Sequence, residues 1–188
     1  MRIIRGSRRG KQLHPPVGLP VRPTTDMAKE SLFNILDNNF YFENIAVLDL
    51  FSGTGSISYE FASRGAIEVV AVEMNPKCAD YIKQTAKELT FDNLMVIKGN
   101  VFSYLNSARR QFDVIFADPP YDLEGVATIP DLIIKGGFLA PDGLFVMEHG
   151  ERVSFQSHSH FMEQRRYGKV NFTLFSPNQI MADDEQAV

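Results

Sequence analysis

The chain has 188 residues, 44% hydrophobic and 22% charged, with one cysteine, Cys78, a net charge of −4 and a pI near 5.6. That composition suits a single domain with a full apolar core. It excludes an internal disulfide and a cysteine-based metal cluster, and no apolar run approaches the roughly 20 residues of a membrane span.

The first 14 residues read as a weak hairpin around Arg5 to Lys11, with Gly6 and Gly10 as bends. Residues 1–22 hold Arg2, Arg5, Arg8, Arg9, Lys11 and Arg22 and no acid, which puts +6 on this arm and −10 on the remainder. A basic arm on an acidic body is an electrostatic footprint of a nucleic-acid partner. No apolar signal-peptide core follows the basic start, so a cytoplasmic protein is expected. Pro15, Pro16, Gly18, Pro20 and Pro23 make 15–23 an irregular connector. A helix is expected after Pro23, capped by Thr24, Thr25 or Asp26, with Ala28, Leu32, Ile35 and Leu36 as its apolar stripe.

From Ile45 strands and helices alternate. Strands are predicted at Ile45 to Phe51, Glu68 to Glu73, Leu94 to Lys98, Phe112 to Ala117 and Leu144 to Glu148. Helices are predicted at Ser56 to Arg64, Pro76 to Leu89, Val101 to Ala108 and Val126 to Lys135. Such alternation implies an α/β fold with a parallel sheet and right-handed crossovers. Met162 to Tyr167 and Val170 to Phe175 flank Gly168-Lys169 and read as a closing antiparallel hairpin. Residues 181–188 read as an acidic disordered tail. The expected organisation is a basic arm over 1–23, a catalytic domain over 24–180, and that tail.

Four strand ends carry chemistry. Asp49-Leu50-Phe51-Ser52-Gly53-Thr54-Gly55 runs from a strand through a glycine turn into a helix, and glycines there let a ligand approach the backbone. Ser58 stands where the dinucleotide fingerprint has its third glycine, and Asp49 would repel a pyrophosphate, which argues against a nicotinamide cofactor. Asp49 suits a cationic amino-acid end instead. Glu73 can accept ribose hydroxyls. Asn100 can present its amide to an adenine edge. Together they describe S-adenosylmethionine. After the apolar run Val114 to Ala117, Asp118-Pro119-Pro120-Tyr121 forms a rigid loop offering one acceptor and one aromatic face. His14, His149, His158 and His160 lack helical metal-ligand spacing, so no metal is expected; His158 and His160 are expected in a surface loop.

These motifs resemble a class I methyltransferase of the amino-methylating kind. Arg2-Ile3-Ile4-x-Gly6, Arg9-Gly10-Lys11-x-Leu13 and Arg22-Pro23-Thr24-Thr25-Asp26 narrow the resemblance to the RsmD family, over roughly residues 2–176. The resemblance implies a Rossmann-like sheet, and a monomer is expected. It implies methylation of the exocyclic N2 of one guanine in 16S ribosomal RNA, with a small-subunit particle expected and free RNA left open as the substrate form. Phe51, Ser52, Met74 and Val101 would join Asp49, Gly53, Gly55, Glu73 and Asn100 around the cofactor. Asp118, Pro119, Pro120 and Tyr121 would hold the acceptor amine. Arg2, Arg5, Arg8, Arg9, Lys11, Arg22, Thr24 and Thr25 would contact RNA, with Lys29 a further basic residue behind them. The acceptor loop is shared with enzymes acting on adenine N6 or a protein glutamine, which stay open as alternatives.

Overall fold

The computed structural model describes residues 1–19, 25–168 and 170–178. Arg22, Pro23, Thr24, Lys169 and the 181–188 tail lie outside the described residues. A seven-stranded sheet has the order β3-β2-β1-β4-β5-β7-β6. The strands are β1 (Ala46–Leu50), β2 (Glu68–Glu73), β3 (Leu94–Lys98), β4 (Phe112–Ala117), β5 (Leu139–His149), β6 (Phe161–Tyr167) and β7 (Val170–Phe175). The first five pair in parallel, and β7 joins β5 and β6 antiparallel. The order reverses between β1 and β4, and open α/β sheets open a ligand crevice at such a point.

Each helix has a local cause. α1 (Asp26–Asp37) starts at Thr25, whose hydroxyl accepts from the Ala28 N–H at 3.2 Å. α2 (Ser56–Ser63) follows the glycine turn, and α3 (Pro76–Glu88) starts on Pro76 with Asn75 as cap. α4 (Val101–Ser107) is capped by Asn100. α5 spans Ile129–Lys135, shorter than the sequence pattern predicts, and Val126–Thr128 forms a 3₁₀ turn before it. Pro130 explains the difference, because an α-helix through 126–135 would drive its ring into the carbonyl four residues back. β5 is longer than expected. Its start, residues 139–143, crosses a register shift against β4, and a bulge there admits Pro141 and Gly143. β1 stops at Leu50 because Phe51 has φ 59°, incompatible with a strand.

The strand alternation divides the core in two. Val47, Val69, Val114, Val146 and Phe172 pack with α1, α2 and α3. Leu48, Val70, Ile115, Met147 and Phe175 pack with α4 and α5. The N-terminal arm belongs to the first layer. It is a hairpin with a single bridge, Arg2 to Gln12, and Ile3 and Leu13 are buried. Gly6 and Gly10 make its bends at φ 84° and 81°.

Candidate active site

The glycine turn is held from inside. The Ser52 hydroxyl donates to the Asp49 carbonyl at 2.7 Å. Gly53 and Gly55 sit at φ 56° and 82°, and Phe51 shares that left-handed region without being glycine. Such a backbone persists where its surroundings dictate it, commonly at ligand sites. Asp49 is 1% exposed and accepts a hydrogen bond from the Ser58 hydroxyl. Ser58 is thus no missing glycine: its hydroxyl, one turn into α2, fixes the carboxylate. Burial pushes the Asp49 carboxyl up to about 7, against the hydroxyl and with help from nearby Asp118.

Glu73 ends β2 and grips the turn from the other side. One carboxylate oxygen accepts from the Gly53 N–H and the other from the Asn75 N–H, both at 2.7 Å. An ionised carboxylate has about four lone-pair sites, so it keeps capacity for ribose hydroxyls. At β3's end, the Asn100 carbonyl oxygen caps α4 by accepting from Ser103 N–H at 3.2 Å. Its amide nitrogen lies 3.7 Å from the sulfur of Met74, which is 65% exposed. Val101 starts α4 and is buried. The predicted cofactor residues Asp49, Phe51, Ser52, Gly53, Gly55, Glu73, Met74, Asn100 and Val101 therefore occupy successive ends of β1, β2 and β3. The chemistry of this set fits S-adenosylmethionine, because deeply buried Asp49 needs a cation to ionise cheaply. Gly55 is held glycine by packing: a Cβ there would stand 2.8 Å from the Tyr59 ring.

Beside β1, β4 delivers Asp118-Pro119-Pro120-Tyr121. The Asp118 N–H reaches the Leu50 carbonyl at 3.4 Å, which ties the loop to the cofactor strand. Asp118 is half-buried, Pro119 buried and Pro120 exposed. Loss of hydration pushes the Asp118 carboxyl up to about 7. The Pro120 carbonyl closes a turn with Leu123 N–H at 3.0 Å. Tyr121 is 44% exposed, and its ring lies over Gly150, where a Cβ would stand 3.3 Å from it. Alternation places Asp49, Glu73 and Asp118 on the α1–α3 face of the sheet, so one layer holds all three carboxylates.

The arm residues are not gathered at this site. Arg2 faces Asp26 and Glu30 at 3.7 and 3.4 Å, and Arg5 pairs with Asp37 at 3.0 Å. Arg8 Nε donates to the Leu89 carbonyl at 2.8 Å, and its guanidinium also meets the Thr90 hydroxyl. Arg9 and Lys11 are exposed, with no side-chain partner among the described residues. Thr25 spends its hydroxyl on the helix cap. Lys29, the further basic residue, is 1% exposed; its ammonium donates to the Arg2 carbonyl at 2.5 Å and the Ser56 hydroxyl at 3.2 Å. Burial lowers its pKa. Glu60, fully buried, accepts from the Ile4 and Arg5 N–H groups at 2.7 and 3.0 Å. The hairpin tip packs at Ser63, the far end of α2 from the glycine turn. His158 and His160 lie in the loop before β6, with rings 5.9 Å apart. Among the described residues no cluster of histidine, cysteine and acids could hold a metal, and no helix is long and apolar enough to cross a membrane.

A glycine turn after β1, an acid ending β2, a capped α4 after β3 and an Asp-Pro-Pro-Tyr loop after β4 fit a class I methyltransferase that uses S-adenosylmethionine, the class to which the fold belongs. The chain belongs to the family described as Conserved hypothetical protein 95, whose profile matches residues 1–176; this is the RsmD family that the motifs resemble. It is 30% identical over 148 residues to ribosomal RNA small subunit methyltransferase D of Escherichia coli K12, covering 79% of this chain and 74% of that one. YlbH of Bacillus subtilis 168, named provisionally as an rRNA methyltransferase, is 34% identical over 157 residues, 81% and 84% of the two chains. A solved structure of a hypothetical protein from Thermus thermophilus superposes with a TM-score of 0.82 at 28% identity, over 94% and 99% of the two chains.

Proposed function

We propose that the protein methylates the exocyclic N2 amine of one guanine in 16S ribosomal RNA. The observation that carries this is the acceptor loop: a half-buried carboxylate and a proline carbonyl at β4's end, with Tyr121 laid over Gly150 beside them. The names of the relatives supply the RNA class. Guanine N2 is a poor nucleophile because its lone pair is delocalised into the ring. Asp118 and the Pro119 carbonyl accept its two N–H bonds, which aligns the amine and favours a pyramidal nitrogen. Tyr121 stacks on the base, which leaves its neighbours to enter. When bound, S-adenosylmethionine supplies an electrophilic methyl group. Positioning and electrostatic preorganisation do the rest, with no strong base needed before transfer. Afterwards Asp118 accepts the proton that the alkylated amine sheds. Arg9 and Lys11 are the arm cations proposed to reach RNA phosphates, since Arg2 and Arg5 already face acids.

The test is methylation with labelled cofactor of ribosomal RNA, or of small subunits, from a strain lacking the enzyme, followed by nucleoside analysis. N2-methylguanosine is expected. N6-methyladenosine, or label in a protein glutamine, overturns the reading in favour of the corresponding alternative.

A further inference from the structure

The acceptor loop has a neighbour that no sequence motif marks. β5 runs parallel to β4 with Ala117 opposite Met147. One residue further, that register sets Glu148 beside Asp118. Phe116 and Val146 enter one core layer, Ala117 and Met147 the other. The next pair therefore returns to the first layer, the face that carries Asp49 and Glu73. Glu148 is 6% exposed. Two residues on, Gly150 supports the Tyr121 ring. The end of β5 thus contributes both a buried carboxylate next to Asp118 and the floor under the aromatic ring.

We propose that Glu148 accepts the N1–H of the target base and so makes the site select guanine; this rests on the guanine-N2 reading above. Guanine presents N1–H and N2–H as adjacent donors on one edge. Neighbouring strands lie about 4.8 Å apart, so two carboxylates on one face of neighbouring strands suit two adjacent donors. Asp118 takes the amine and Glu148 takes the ring proton. Adenine and 2,6-diaminopurine carry a bare lone pair at N1, which would face the lone pairs of the accepting Glu148 oxygen. A buried acceptor left facing another acceptor costs its desolvation without return. Sites built around such a hydrogen bond reject analogues lacking it far more strongly than apolar pockets reject a missing methylene. A glutamine amide has no ring N–H beside its nitrogen, so Glu148 also disfavours that acceptor.

The discriminating substrate keeps the N2 amine, loses the N1 proton and carries an amine in place of O6, so the Glu148 variant is what assigns the preference to N1. Once the methylated position is mapped, the target guanosine in the RNA is replaced by 2,6-diaminopurine ribonucleoside, and single-turnover methyl transfer is compared. The unmodified protein should prefer guanine by about 100-fold or more. Glu148→Gln should shrink that preference below about tenfold, chiefly through slower transfer to guanine, while S-adenosylhomocysteine affinity holds within about threefold. Equal slowing on both substrates would make Glu148 structural and overturn the proposal. So would an unmodified protein that methylates both bases alike, a result that needs no variant to fold. Methylation elsewhere than guanine N2 would instead overturn the function proposed above.

Discussion

At the scale of single residues, two buried carboxylates carry the proposed chemistry and make it sensitive to pH. Asp49 and Asp118 both sit near 7, mainly because burial disfavours their charged forms. A cationic ligand needs Asp49 ionised, so S-adenosylhomocysteine, with its ammonium end, should bind more tightly as pH rises from 6 to 8. Titration in buffers of different ionisation enthalpy should show proton release on binding. Affinity independent of pH across that window would separate Asp49 from the ligand. Stability runs the opposite way. For an acid whose folded pKa is raised, the stabilising contribution is present below the unfolded value near 3.8 and is lost as pH rises through about 7. The ligand-free protein should therefore melt at a lower temperature at pH 8 than at pH 6, and added ligand should narrow the gap. Asp118→Ala should cut methyl transfer by at least about 100-fold, as removal of one preorganised electrostatic group does, while cofactor affinity stays within a few-fold. Near-normal turnover would make Asp118 a structural residue.

At the scale of elements, α2 is the hub. Its first residue, Ser56, meets Lys29; Ser58 meets Asp49; Glu60 receives two N–H groups of the arm; Ser63 receives the arm's tip. One short helix thereby ties the cofactor turn to the N-terminal hairpin. Gly6 shows how close the fit is, because a Cβ there would overlap the Ser63 carbonyl, and its φ of +84° already disfavours any side chain. Gly6→Ala should destabilise the protein by about 1–3 kcal/mol, the range for strain at such positions, and denaturant unfolding checks it. Gly10→Ala differs instructively. It has a similar φ but meets nothing within 4 Å, so it should cost only about 1 kcal/mol of backbone strain. Equal losses for the two variants would mean that the contact at Ser63 contributes nothing.

At the scale of the whole molecule, the arm is part of the folded body. Removing residues 1–14 would uncover Ile3 and Leu13's packing partners and leave Glu60 buried without its two N–H donors. A buried acceptor that loses hydrogen bonds costs about 1–3 kcal/mol, although Glu60 keeps the Arg64 Nε donor at 2.9 Å. From sequence, a parallel sheet that begins only near Ile45 predicts a folded body that survives truncation; the packing adds a clear fall in melting temperature, and an unchanged one would count against it. The RNA question then calls for point variants. Arg9→Ala with Lys11→Ala should leave melting unchanged and reduce the slope of log affinity against log salt by about 0.7–0.9 per lost phosphate contact. Arg5→Ala should alter the slope less, since its charge is already paired with Asp37 at 3.0 Å. An unaltered slope in the double variant would remove Arg9 and Lys11 from the RNA interface.

Much was legible in the chain because it is local. Short apolar runs and period-3.6 patterning marked the strands and most helices, and prolines and glycines marked where they stop. Asp49, Glu73 and Asp118 were legible because the fold places ligands at strand carboxyl ends, and strand ends can be read from sequence. Tertiary structure alone decided the rest, because those relations join residues far apart in the chain. Ser58 looked like a failed glycine until α2 folded its hydroxyl onto Asp49. Lys29 looked like a basic surface residue, yet helix docking buried it against the Arg2 carbonyl and Ser56. The arm's charge was evident from composition, but its direction was not. Only packing shows that Glu60 draws the hairpin along α2 and carries its tip away from the acceptor loop. Glu148 had no motif to announce it. Strand order and register bring it beside Asp118 across 29 intervening residues, and neither is written in any local stretch of sequence.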